Sequence, residues 1–162
     1  MELLVRSATG DDTTQLDELR RLLLADLAGR RGGPALVASF ARGASLADRL
    51  SRAGSGDACL FAATIDGVVV GMAGATCPSR LEAAPGARTA ALDLLYVAPP
   101  ARRVGVATAL FAAIARWGAD HGCTDLDAPA LPGDRALKSF FESLGLRARL
   151  LVLNGPLRSP ED

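Results

Sequence analysis

Cysteine is scarce in this chain: three in 162 residues, at Cys59, Cys77 and Cys123, odd in number and scattered. That pattern excludes a disulfide-stapled scaffold and predicts a reduced, cytoplasmic setting. Histidine occurs once, at His121, too few to build a zinc site of the usual kind, so no metal is expected. Charge of either sign is not in excess, the formal net charge being zero. Binding to nucleic acid or to an acidic membrane driven by charge alone is therefore not expected. No apolar run approaches the ~20 residues that span a bilayer, and the opening MELLVRSATG lacks a basic leader followed by a long apolar core.

What is present is apolar bulk. Hydrophobic residues make up 49% of the chain, enough for one packed domain, predicted over residues 1–153 with a frayed tail over 154–162. The organising stretch runs from Leu92 to Trp117. Leu92–Val97 is dense in large β-prone residues and reads as a buried strand. Pro99 and Pro100 end it, because proline cannot donate to a sheet ladder. A polar turn then opens a helix in which Val106, Leu110, Ile114 and Trp117 recur at helical spacing, and Gly122 is placed to close it.

Before that stretch, Leu3–Val5 is a short strand candidate. Leu16, Leu19, Leu23 and Leu27 trace one face of a helix, and Pro34 suits the first turn of a second, with Leu36, Val37 and Phe40 as its apolar side. Ser45 caps a third helix. Asp66-Gly67 between two β-prone runs, Leu60–Ile65 and Val68–Ala75, is the signature of a two-residue hairpin. The polar stretch from Pro78 to Gly86 could border a site. Beyond the long helix come a short strand at Thr124–Asp127, a last helix capped by Asp134 and carrying Leu137, Phe140, Phe141 and Leu144, and a final strand over Leu146–Leu153. Strands and helices thus alternate after an antiparallel start, which predicts an α/β fold: a three-layer mixed β-sheet with flanking helices.

The turn carries the chemistry. A helix N-terminus offers unpaired N–H groups and roughly half a positive charge. Gly105 and Ala107 leave room for a ligand to approach, and Arg102 and Arg103 add cationic forks. Together they describe a receptor for a phosphate or pyrophosphate. Neither G-x-G-x-x-G nor the P-loop pattern is met. The pattern that is met is [QR]-x-x-G-x-[GA], as Arg102-x-x-Gly105-x-Ala107, after a strand ending Leu95-Tyr96-Val97 and before a helix, with FFESLGL later on. With these motifs the chain resembles the GNAT superfamily of acetyl-CoA-dependent N-acetyltransferases over nearly its whole length.

The resemblance implies a GNAT-like acyltransferase fold in which two central parallel strands splay apart and acetyl-CoA enters the gap. It implies a pyrophosphate site at Arg102, Arg103, Val104, Gly105, Val106, Ala107 and Thr108. It implies that the strand end at Leu95, Tyr96 and Val97 bonds the cofactor through its backbone, and it brings Asp134 and Phe141 to the cofactor. For Asp134 the alternative is a plain helix cap. Relatives often carry a tyrosine at the Phe141 position to protonate the departing thiolate; phenylalanine has no proton to give, and Ser139 and Tyr96 are weak substitutes. The family usually has two strands after the last helix where this chain has room for one. That predicts a six-stranded sheet, or a homodimer in which a partner covers the open edge.

A primary ammonium of pKa near ~10 must lose its proton before it attacks a thioester. Asp93 is the candidate base: it lies within an apolar run and, by strand alternation, on one face with Leu95 and Val97. A buried carboxylate needs a reason, and the other reason open to Asp93 is an ion pair with an arginine. Glu18, Asp26, Asp48 and Glu82 could meet a cationic amine, or could simply be solvated helix charges. The expected function is N-acetyl transfer to a primary amine of a small molecule or peptide, by direct attack in a ternary complex. The alternative is a non-catalytic acyl-CoA-binding sensory or regulatory module.

Overall fold

A computed structural model describes residues 1–42, 45–79, 81 and 83–158, with the side chains of 39–42 excepted. Five strands form one sheet in sequence order: β1 (Leu3–Ser7), β2 (Ala58–Ile65), β3 (Val68–Thr76), β4 (Thr89–Val97) and β5 (Asp125–Asp127). The first four are antiparallel and β5 runs parallel to β4. The β2–β3 hairpin turns at Asp66 (φ +49°) and Gly67 (φ +84°). Both central residues take the positive φ that an Asp-Gly turn supplies at low cost.

Helices cover both faces. Helices α1 (Thr13–Ala28) and α3 (Leu46–Ala53) lie on one side, where Leu16, Leu19, Leu23 and Leu46 pack with Leu60, Met72, Leu94 and Tyr96. Each fully buried leucine of this kind contributes roughly 1.5–3 kcal/mol. Helix α2 (Gly33–Arg42) adjoins α1. On the other side α4 (Val106–Asp120) and α5 (Arg135–Ser143) bury Val106, Leu110, Ile114 and Phe141 against Ala63, Ala73, Leu92 and Val97. Helix α4 approaches closely because Gly71 has no side chain. A Cβ there would stand 3.0 Å from Val106 Cγ1 and 3.1 Å from Leu110 Cδ1. The three layers expected from the sequence are present.

Two expectations fail. Leu146–Leu153 is not a strand: residues 146–158 run on without helix or sheet pairing, and Leu150, Leu151, Val152 and Leu153 are exposed. The described residues hold a five-stranded sheet, not six. The β-prone run lies near β5 without pairing to it, and Arg149 reaches back to the Asp127 carboxylate at 2.6 and 2.7 Å. The second failure is the face assigned to Asp93. Gly74 pairs with Leu94 while Ala75 pairs with Leu92, so Asp93 is the extra residue of a β-bulge. Alternation therefore breaks at 93: Leu92 and Val97 join the α4 side, Leu94 and Tyr96 the α1 side, and Asp93 meets α3. Asp93 does not share a face with Leu95 and Val97.

Candidate active site

The strand–turn–helix unit is built as its composition requires. After β4, Pro99–Ala101 forms a 3-10 turn, and α4 begins at Val106 with Gly105 as its cap at φ +88°. Arg103 is also left-handed, at φ +66°. Positive-φ residues set among right-handed ones turn successive N–H groups towards one side, making an anion-sized concavity. The first backbone bond of the helix closes at Ala109 N–H to the Gly105 carbonyl, 3.0 Å. The N–H groups of Val106, Ala107 and Thr108 precede it and lack partners one turn back. A hollow of about 250 Å³ lies over them, lined by Val97, Ala101–Arg103, Gly105–Thr108 and Phe140. Open N–H groups, a positive helix end and a hollow above them match the chemistry of a pyrophosphate.

The two arginines do different work. Arg102 folds back: its Nε donates to the Val97 carbonyl at 2.9 Å, and its guanidinium carbon lies 5.5 Å from the centre of the Tyr96 ring. It fastens the turn to the strand end. Arg103 is exposed beside the hollow, as is Val104.

Between this hollow and a second, larger space runs the outer edge of β4. The β4–β5 pairing covers only Thr89–Ala91 against Asp125–Asp127. From Leu92 to Val97 the β4 edge on that side has no strand partner among the described residues. Beside it opens a cleft of about 1340 Å³, bordered by Leu92–Leu94, Asp125–Asp127, Arg49 and Phe141. Ser79, Leu81, Ala83 and Ala84 also border it, as expected of the 78–86 stretch, while Glu82 lies outside the described residues. Leu95 and Tyr96 line neither space. Tyr96 is buried on the α1 side.

Asp93 accepts a 2.8 Å ion pair from Arg49 Nη2, so the arginine partner weighed from the sequence exists, supplied by α3. The Arg49 side chain is 12% exposed and that of Asp93 31%. Arg49 fits there because Gly74 is bare; a Cβ at 74 would come within 3.0 Å of Arg49 Nη1. That Nη1 and Asp93 Oδ1 are buried without a hydrogen-bond partner among the described residues. Sequence reasoning did not find Arg49, since nothing in LADRLSRA distinguishes it from Arg52.

Asp134 does the work of a cap. Its Oδ1 accepts from Leu137 N–H at 3.1 Å, and its Oδ2 pairs with Arg30 at 3.0 Å. Phe141 is buried against Phe111 and Phe140 and borders the cleft, and Ser139 is exposed. Of the acidic helix residues, Glu18 pairs with Arg21, Asp26 with Arg30, and Asp48 caps α3 through Ser45. His121 Nδ1–H donates to the Trp117 carbonyl at 2.7 Å, closing α4. No group of three His, Cys, Asp or Glu side chains that could hold a metal occurs among the described residues. No described helix is long and apolar enough to cross a membrane.

The elements together define a domain of the acyl-CoA acyltransferase fold class. Residues 19–146 match the model of the Acetyltransferase (GNAT) family, and the chain belongs to that family, whose members use acetyl-CoA. Aminoglycoside N(6')-acetyltransferase type 1 of Salmonella typhimurium is 30% identical over 86 residues, which are 52% of this chain. The match spans 59% of that relative's length. Among solved structures, AAC(6')-Iy in complex with a bisubstrate analogue, CoA-S-monomethyl-acetylneamine, superposes with a TM-score of 0.74 at 23% identity, covering 98% of this chain and 100% of the other. The apo aminoglycoside antibiotic 6'-N-acetyltransferase AAC(6')-IG of Acinetobacter haemolyticus gives 0.68 at 20% identity, covering 96% and 99%. At such identities these two establish the shared fold.

Proposed function

We propose that this chain is an acetyl-CoA-dependent N-acetyltransferase that acetylates a primary amine of a small molecule or peptide by direct attack in a ternary complex. The observation that carries the reading is the outer edge of β4, without a strand partner among the described residues from Leu92 to Val97, which runs from the large cleft at Leu92–Leu94 to the helix-terminus hollow at Val97. When bound, acetyl-CoA supplies a thioester activated towards an amine.

The chain's own residues do the rest. N–H groups of Val106, Ala107 and Thr108, with Arg103, hold the pyrophosphate. Arg102 and Gly105 set the shape of the turn, with Val104 exposed between them. The backbone of Leu95, Tyr96 and Val97 bonds the pantetheine arm as an added strand would, and an N–H of this edge polarises the thioester carbonyl. Phe141 packs beside the arm, and Asp134 fixes the start of α5 next to it. The acceptor amine enters by the cleft and gives its proton to Asp93, directly or through water. Arg49 holds the Asp93 side chain in place until then. The departing thiolate, with a pKa of about 8.5, is a tolerable leaving group without a dedicated acid. Relatives that acetylate aminoglycosides support a small-molecule amine as acceptor. A cytoplasmic location and a homodimer belong to the same proposal, supported by the free thiols and by the exposed Leu150–Leu153 run beside β5.

Calorimetric titration with acetyl-CoA and with 3′,5′-ADP, followed by thiol release against a panel of amines including aminoglycosides, tests the reading. Binding that needs the pantetheine arm, and release with at least one amine, is expected. Binding without release for any amine would make the chain a sensing module instead. No binding would overturn the proposal.

A further inference from the structure

Two cysteines far apart in the chain meet at the closed end of the β4–β5 opening. Cys77 directly follows β3 and Cys123 shortly precedes β5, and these are the strands on either side of β4. The residues are 46 positions apart, yet their Sγ atoms stand 2.8 Å from each other. A disulfide bond is about 2.05 Å long, so less than about 1 Å of approach separates the pair from a bond. Backbone bonds hold both sides of the encounter. The Cys77 N–H donates to the Asp57 carbonyl at 2.9 Å and the Cys123 N–H to the Gly118 carbonyl at 2.9 Å. Ser79 and Thr124 donate to Thr89 and Arg88, at 2.6 and 2.9 Å, fixing the two segments to the start of β4. Neither sulfur has a part in the chemistry proposed above.

We propose that Cys77 and Cys123 form an oxidative modification site, a reversible disulfide that clasps β3 to β5 across the first residues of β4. Cys123 is the entry point, being half-buried where Cys77 is 3% exposed. The Cys123 thiolate attacks one sulfur of a small disulfide such as oxidised glutathione, and the other sulfur leaves as a thiolate. The Cys77 thiolate then attacks Cys123 Sγ and expels the second glutathione. One S–S bond breaks for each one that forms. Two electrons pass from the cysteine pair to the oxidant, and their two protons end on the two glutathione thiols. Burial, and after it the contact with Cys77, pushes the Cys123 thiol up to about 11, so attack is slow at neutral pH and faster at pH 8 and above. Cys59, 5% exposed and pushed up by burial to about 12, serves as an internal control that stays reduced.

The full-length protein is incubated with oxidised glutathione at pH 8.5, quenched with acid and mapped as peptides. Three free thiols should fall to one, with peptides bearing Cys77 and Cys123 linked. The melting temperature should rise by about 5–15 °C, a gain that dithiothreitol reverses. Cys123→Ser should abolish both changes; because the mapping uses the unaltered chain, poor folding of the variant leaves the test intact. Three persistent thiols, a linkage to Cys59, or a glutathione adduct on Cys123 that never resolves would each overturn the proposal.

Discussion

Gly105 offers the sharpest separation between a turn that is merely left-handed and a turn that binds. At φ +88° it sits where an L side chain costs roughly 1–2 kcal/mol. A Cβ built on it meets no atom within 4 Å, so Gly105→Ala introduces backbone strain without a clash. For a domain of this size each kcal/mol lowers the melting temperature by about 2–4 °C, which sets the expected fall at about 2–8 °C. Gly67 in the β2–β3 turn has φ +84° and is equally open, so Gly67→Ala should cost the same stability. Binding should part the two. Relaxing φ at 105 swings the N–H groups of Val106 and Ala107 off their common direction. Two bonds to a charged group, each contributing about 1.5–3 kcal/mol, are then weakened. Allowing for partial loss, affinity for coenzyme A should fall by about 10²-fold in Gly105→Ala and stay unchanged in Gly67→Ala. Calorimetry and thermal melts on the same samples read both quantities. Equal coenzyme A affinity in the two variants, with equal loss of stability, would refute the idea that the first turn of α4 holds the cofactor.

Asp93→Asn should lower turnover by about 10²–10⁴-fold, the usual contribution of a positioned base, with coenzyme A affinity unchanged. Full turnover across pH would remove Asp93 from the chemistry and leave it as the partner of Arg49. At the sheet's first edge, the Arg6 guanidinium grips Asp12 through two bonds of 2.7 and 2.8 Å, and Thr9 N–H adds a third. These hold the Asp12 carboxyl at about 2, below its ordinary value near 3.8. A depressed carboxyl stabilises the folded chain fully above its unfolded pKa and progressively less as pH falls through the folded one. Arg6→Met, which leaves the Thr9 bond in place, should therefore cost about 1–2 kcal/mol at pH 7, and the gap from the parent should shrink between roughly pH 4 and pH 2. Urea melts as a function of pH measure it, and a pH-independent gap would contradict the assignment.

Much of the fold is written in short-range chemistry. Asp66-Gly67 demanded a hairpin because both residues tolerate positive φ, and Ser45 and Asp134 announced helix starts because their oxygens satisfy orphan N–H groups. Leu16, Leu19 and Leu23 marked a buried face because three leucines at helical spacing have one place to go. The Arg102–Thr108 turn was legible for the same reason: glycine at a helix start after a proline-ended strand leaves few backbone paths.

What only the tertiary structure decided depends on partners distant in sequence. Alternation along β4 put Asp93 on one face with Leu95 and Val97 and failed there, because a bulge arises from how two strands register and not from either alone. Arg49 became the partner of Asp93 because α3 lies across a bare Gly74, a coincidence of packing that no local pattern encodes. Leu146–Leu153 has the composition of a strand but stays unpaired, since a strand exists only where another edge accepts it. Cys77 and Cys123 read as scattered residues along the chain; the sheet order β3-β4-β5 is what sets their sulfurs face to face. Sequence determined the conformations that single residues and short turns enforce, while the folded sheet determined every contact whose two ends lie on different elements.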